Sequence, residues 1–241
     1  TFNRNGGTVV FNGNSSILGT VNPSFNNITI SGILTPPVTL NIHGAFTNNG
    51  VFNNGGTGTV AFLGTTGVTQ VVSGTTVTNF ANINVTNTSA SPDVTIESNQ
   101  NLLGVLTLAN TATVDADGAS DNSVFTLISS GDNPTQDAAI ATLPGTANVL
   151  GNVTVQRFMS IEGANSGRIY RYISSPVQTA DVAQIQNFIP VTGSFTGTST
   201  CTGCGSNQSM FLYNENVITD VNSSGANDAD DGYGDFPASA N

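Results

Sequence analysis

His43 is the one histidine of the chain. A Ser–His hydrolase would need its imidazole held by a buried carboxylate, yet the first acid in the sequence is Asp93. In the run Val38-Thr39-Leu40-Asn41-Ile42 apolar and polar residues alternate, which puts His43 on the outward set with Thr39 and Asn41. It reads as a surface histidine. Asp115 and Asp117, two apart on one strand face with Asp121 and Asp132 beyond, are the acids best spaced for a glycosidase pair. Polysaccharide-cleaving enzymes are often built on β-helices. A lyase site on such a fold also relies on a Lys or Arg to neutralise the substrate and take a proton, and residues 5–156 contain neither. The chain is therefore read as non-enzymatic.

Oxygen-rich segments suit calcium better. Asp228-Ala229-Asp230-Asp231-Gly232-Tyr233-Gly234-Asp235 gathers carboxylates around glycines, as calcium loops do. Asp228, Asp230, Asp231 and Asp235 are the candidate ligands. The order departs from an EF-hand, with Gly after two adjacent acids and no closing Glu, and a solvated acidic loop fits the composition as well. Asp115-Ala116-Asp117-Gly118 is a weaker version of the same pattern. Beyond calcium no cofactor is expected. Cys201 and Cys204 stand as CysThrGlyCys. Zinc needs more Cys or His than the chain carries, and the βαβ setting of a redox pair is missing. A small disulfide stapling a secreted loop is the expectation. Asn-x-Ser/Thr triplets arise by chance in a chain with 31 Asn and 56 Ser plus Thr.

The elements that carry these residues are strands. Val38–Ile42 has the clearest period of two, and Ile28-Thr29-Ile30, Ile83-Asn84-Val85, Val94-Thr95-Ile96, Leu106-Thr107-Leu108 and Val153-Thr154-Val155 repeat it. Gly, Asn, Pro and Ser clusters separate them, giving short strands, near five residues, about every 10 to 12 residues. An internal repeat pairs Gly7–Phe11 with Gly58–Phe62 and Phe25–Ile30 with Phe80–Val85. It also pairs Val38–Leu40 with Val94–Ile96, and Gly44–Thr47 with Gly104–Thr107, the offset growing slightly from pair to pair. Order kept while loops lengthen is solenoid behaviour.

Composition supplies the physical reason. Thr, Asn, Ser and Gly make up nearly half the chain, only 8% is charged, and no charged residue lies between Arg4 and Asp93. In a parallel β-solenoid equivalent residues stack about 4.8 Å apart, where like charges repel by roughly 1 kcal/mol even in water. Thr, Ser and Asn stack without that cost, and amides can hydrogen-bond along the ladder. The reading is an all-β chain, with a parallel β-helix over residues 1–150 and a smaller, truncated antiparallel β module over 151–241. In the second part Asp181–Phe188 is the one helix-compatible run, Met210–Tyr213 reads as a buried strand, and Asn222–Asn241 as a polar tail.

Charge excludes other classes. There is no Lys, four Arg, a net charge of −11 and a pI near 4.1, which argues against nucleic acid and anionic lipid surfaces. No run approaches the roughly 20 apolar residues of a spanning helix, so direct membrane insertion is not expected. The opening ThrPheAsnArg has no Met, basic region or apolar region, which fits a processed or excised fragment. Outward Thr could also order water for ice binding, but Thr-x-Thr at 57–59, 76–78, 111–113, 196–198 and 198–200 keeps no fixed coil spacing.

Asn152-Val153-Thr154-Val155-Gln156-Arg157-Phe158, Gly167-Arg168-Ile169-Tyr170-Arg171-Tyr172-Ile173-Ser174-Ser175-Pro176-Val177 and Met210-Phe211-Leu212-Tyr213-Asn214-Glu215 together resemble a known group. This is a segment of large Bacteroidota cell-surface proteins exported by type IX secretion. There it follows long Thr/Asn-rich repeats similar to residues 1–150. The resemblance implies an extracellular surface location and an adhesin or gliding-associated filament. Its partners would be neighbouring domains of a larger surface protein, the export machinery, and polysaccharide or cell surfaces. It supplies no catalytic residues, and the group's C-terminal sorting domain is not in this sequence.

Overall fold

The computed structural model describes residues 5–19, 21–64, 67–131, 137–158, 182–193, 209–213 and 233–235. The chain divides into two compact units, Thr1–Gly167 and Arg168–Asn241.

The first unit is a three-sided parallel β-solenoid. Its first coil carries β1 (Thr8–Phe11), β2 (Asn14–Ser16) and β3 (Ser24–Phe25), and its second β4 (Asn27–Ile30), β5 (Ile33–Thr35) and β6 (Thr39–Ile42). The third has β7 (Phe46–Asn48), β8 (Val51–Phe52) and β9 (Thr59–Phe62); the fourth β10 (Gln70–Ser73), β11 (Thr78–Phe80) and β12 (Asn82–Val85). The fifth has β13 (Val94–Ile96), β14 (Gln100–Leu102) and β15 (Val105–Leu108); the sixth β16 (Thr113–Asp115), β17 (Phe125–Leu127) and β18 (Ala139–Ile140). A partial seventh adds β19 (Asn148–Leu150) and β20 (Val153–Val155). Every third strand lies on the same side. The first face is the sheet β1-β4-β7-β10-β13-β16-β19 and the third is β3-β6-β9-β12-β15-β18. The second face holds β2-β5-β8 and then β11-β14-β17-β20.

Alternation does the sorting. In β6 Thr39 and Asn41 are half-buried outward residues, while Leu40 and Ile42 are fully buried. Stacking then builds apolar columns through the core. Leu40, Val60, Ile83, Leu106 and Ile140 form one; Phe25, Ile42, Phe62, Val85 and Leu108 form the next. Phe46, Phe52 and Phe80 close into an aromatic cluster with ring centroids 5.2, 5.4 and 6.2 Å apart, and Phe46 and Phe80 are wholly buried. Corners are tight: Gly13, Gly32 and Gly50 stack where the first face turns into the second. A Cβ on Gly50 would overlap the Gly32 carbonyl oxygen of the coil below.

Three expectations need correction. Strands have two to four residues rather than about five, because a three-sided coil must turn before a longer run is complete. The internal repeat joins strands on different faces, since β1 and β4 lie on the first face but β9 and β12 on the third. Any strand pointing inward at every second residue resembles any other, so that repeat reports alternation rather than coils. The true coil is shorter and variable: Thr8 lies over Asn27, whereas Thr113 lies over Asn148, a much longer excursion of chain. The solenoid also continues past residue 150, for β20 pairs in parallel with β17.

In the second unit the described residues include α1 (Val182–Gln186), within the helix-compatible run, and β21 (Phe211–Tyr213), which pairs antiparallel with β22 (Tyr233–Asp235). Val182 and Val191 are buried together against Ile185 and Met210. The run Met210–Tyr213 is not uniformly buried, since Phe211 is 38% exposed. The expected polar tail contains β22, whose backbone bonds to β21 do not depend on apolar side chains.

Truncating the aromatic cluster tests the packing. Phe80→Ala should lower the solenoid's stability by about 3–5 kcal/mol, the usual cost of emptying a buried aromatic site. Val105→Ala, outward and 40% exposed, should cost less than about 1 kcal/mol by its partial burial. Urea unfolding of the two variants measures the contrast.

Candidate functional site

Two regions of the solenoid present chemistry to solvent, the outward ranks of polar residues and an acidic corner after β16. The ranks follow from register. On the first face Thr29, Thr47 and Ser73 stack, with the Thr47 and Ser73 hydroxyls 3.3 Å apart. On the second, Asn79, Asn101, Thr126 and Thr154 stack, and the Asn101 amide donates to the Asn79 carbonyl oxygen at 2.8 Å. On the third, Thr39, Thr59 and Asn82 form a rank that passes into Val105 and Ala139. Thr47 and Ser73 are far apart in sequence and still neighbours. Uneven spacing in the sequence therefore does not break a rank, because loops at the corners absorb it. Composition does break it: Ala61 sits between Asn41 and Asn84, and Val10 above Thr29. Of the Thr-x-Thr pairs, 196–198 and 198–200 lie outside the described residues, and in the 76–78 pair Thr78 is buried.

Amides also stitch the coils together. Asn27 donates to the Thr8 hydroxyl at 3.4 Å and accepts the Ala45 N–H at 2.7 Å. Asn82 donates to the Gly58 carbonyl and accepts the Val105 N–H, both at 3.0 Å. Each side chain thus bridges the coil below and the coil above. The buried Gln70 amide donates to the Ile42 and Gly44 carbonyls at 3.0 and 3.1 Å, while its Oε1 has no hydrogen-bond partner.

The acids of the solenoid hold the same kind of post. Asp93 is fully buried and accepts the Thr113 N–H at 2.8 Å and hydroxyl at 3.1 Å, and the Ala90 N–H at 2.8 Å. Asp117, 4% exposed, accepts the Asn152 N–H at 2.7 Å and its side-chain amide at 2.9 Å through Oδ2. Those bonds, the backbone N–H of Asn152 foremost, hold the Asp117 carboxyl below the ordinary aspartate value of 3.8. Asp115 stands above it, first through desolvation and then through the neighbouring Asp117 carboxylate. Among the described residues the one ion pair joins Arg157 to Asp137, and Asp137 is also bonded by the Ser129 hydroxyl.

The structure brings Asp115 and Asp117 together, but not on one strand face: β16 ends at Asp115, and Asp117 lies beyond it, buried and spent on Asn152. Asp121 lies on an exposed turn with φ of 53°. His43 is half-buried and its Nδ1 donates to the Gly64 carbonyl oxygen at 3.0 Å. Asp132, Asp228, Asp230, Asp231, Cys201 and Cys204 lie outside the described residues. Asp235 is described through its backbone alone, as the last residue of β22. No three His, Cys, Asp or Glu among the described residues converge as a metal cluster. Sequence reasoning missed Asn152 as the partner of Asp117. The two are distant in sequence, and no local pattern announces contact across a coil.

A void of about 10 Å³ lies among Phe62, Val72, Phe80, Ile83 and Phe125, about the space of one water molecule. Comparison of the chain with protein-family models, with curated proteins and with solved structures found no match in any of the three.

Asp117 should matter to stability. Replacing it by Ala removes two hydrogen bonds from a buried site and should cost about 1–3 kcal/mol. The pH dependence has a sign. A depressed carboxyl contributes stability that is fully present above the ordinary value of 3.8 and lost as pH falls through its lower folded value. Urea midpoints in chelated buffer from pH 7 to pH 3 should therefore fall more steeply for the native chain than for Asp117→Asn.

Proposed function

We propose that this chain is a structural segment of a secreted cell-surface protein, a stiff β-helical spacer that extends a surface fibre and carries neighbouring domains. The observation that carries this reading is the seven-strand parallel first face, with the same side chains stapling one coil to the next. At about 4.8 Å per coil, seven strands span roughly 29 Å, and every further coil would extend the rod without a new fold. Bending such a rod must break ladder hydrogen bonds and amide staples together. That cooperativity is what a spacer requires.

Several features support an extracellular setting and a non-catalytic role. Low charge and Thr/Asn-rich ranks suit a surface that meets water and carbohydrate hydroxyls alike. Among the described residues no helix is long and apolar enough to cross a membrane. Of the best-spaced acid pair, Asp117 is consumed as an inter-coil staple. Adhesion would use the outward hydroxyl and amide ranks, such as Asn79-Asn101-Thr126-Thr154. The Tyr/Arg-rich part, where aromatic rings could stack on sugars, lies outside the described residues.

A pull-down on insoluble and immobilised polysaccharides, with each supernatant assayed for released oligosaccharide, separates the readings. Neither retention nor product is expected for a passive spacer. Retention without product would make it an adhesin, and released oligosaccharide would overturn the non-enzymatic reading. Inhibition of ice recrystallisation, measured on the same material, would instead favour the water-ordering role of the Thr ranks.

A further inference from the structure

The corner after β16 contains an electrostatic problem that the described residues do not solve. Asp117 is 4% exposed, and its Oδ2 takes both bonds from Asn152. Its Oδ1 is buried without any hydrogen-bond partner. That oxygen occupies the space where a side chain at position 151 would begin, so only glycine fits there. Asp115, half-buried on the outer side of β16, comes within hydrogen-bonding reach of Asp117. An ionised Asp115 has no proton to give. Glu97 approaches the same turn from the coil below, where one carboxylate oxygen accepts the Ala119 N–H at 3.1 Å and the other lies beside Gly118.

Asp115 and Asp117 therefore meet at a turn where one Asp117 carboxylate oxygen has no donor. A buried carboxylate left in that state is expensive. The surrounding coils hold no cation to neutralise it, because residues 5–156 include no Lys or Arg. The next cation in sequence, Arg157, is engaged by Asp137. Among the described residues no other cation supplies the charge balance.

We propose that Asp115 and the buried Oδ1 of Asp117 hold a divalent metal ion at this corner, calcium being the best match. The donors are hard carboxylate oxygens, which calcium and magnesium prefer over softer metals. Calcium also accepts irregular sets of six to eight oxygens, completed here by water entering on the half-exposed Asp115 side. Magnesium demands near-ideal octahedral geometry, which two carboxylates on one turn do not impose. The ion would lock the sixth coil to the seventh through Asp117 and Asn152. This site is separate from the acidic segment Asp228–Asp235, and it does not depend on the spacer reading.

Calcium titration of the intact chain by calorimetry, after chelation, tests the assignment, with thermal unfolding recorded in parallel. A variant with Asp228, Asp230, Asp231 and Asp235 all changed to Asn removes the other acidic segment from the count. In that background one calcium ion should still bind and raise the unfolding temperature. Adding Asp115→Asn should weaken binding by at least tenfold while the circular dichroism spectrum stays that of the parent. Asp115 is half-exposed and its replacement is isosteric, so loss of binding would not reflect loss of the fold. Asp117→Asn, which keeps an oxygen acceptor for Asn152, should abolish the remaining affinity. Absence of calcium binding in the four-Asn background would overturn the proposal. So would a titration unchanged by Asp115→Asn, or a neutral-pH infrared spectrum in which the pair shares a proton instead of an ion.

Discussion

The parallel hydrogen-bonded ladder between coils is the constraint on which this structure depends. It places each residue directly over its counterpart one coil away, at a spacing of about 4.8 Å. Whatever occupies one position must therefore be compatible with its own kind above and below. Apolar residues satisfy this by packing, as in the Leu40-Val60-Ile83-Leu106-Ile140 column. Outward positions satisfy it with groups that donate and accept along the column, and the Asn101–Asn79 contact at 2.8 Å is a direct instance. A column of carboxylates or ammonium groups could not.

Side-chain amides extend the same logic to the corners, where the backbone ladder lapses. Asn27 and Asn82 each donate to the coil below and accept from the coil above, so they continue the ladder with side-chain atoms. The abundance of Asn is thus a structural requirement of a coil with three corners. Two buried carboxylates enter as capped staples. Asp93 is surrounded by N–H and hydroxyl donors, and Asp117 by the two donors of Asn152. Asp117 differs from Asp93 in keeping one oxygen unmatched, as the buried Gln70 amide also does.

Much of this was legible in the sequence. Period-two alternation at Val38–Ile42 and Ile83–Val85, the charge desert before Asp93 and the wealth of Asn and Thr together pointed to a parallel solenoid, although Val38, counted with the inward set, stands 80% exposed ahead of β6. Coil length was not legible. Strands on the three faces obey one inward–outward rule, so Thr8–Phe11 resembles Thr59–Phe62 although they belong to different faces. The corners, which set the true period, tolerate insertions: on the first face Thr8 is followed one coil later by Asn27, but Thr113 only by Asn148. The strand Tyr233–Asp235 was invisible for a related reason, since backbone pairing with Phe211–Tyr213 leaves no mark in a polar, Gly-rich segment.

By itself, then, the sequence determined the class of fold, the apolar columns and the low-charge exterior, because these rest on the alternation and chemistry of each residue taken singly. It also singled out Asp115 and Asp117 as a pair, though on a shared strand face that the end of β16 at Asp115 does not provide. Tertiary structure alone decided which strand lies over which, that hydroxyls as distant as Thr47 and Ser73 meet in one rank, and that Asp117 turns inward to Asn152. Those outcomes depend on how much chain each corner absorbs. A corner is held by contacts with other coils rather than by its own sequence, so its length sets register only after the coils have stacked.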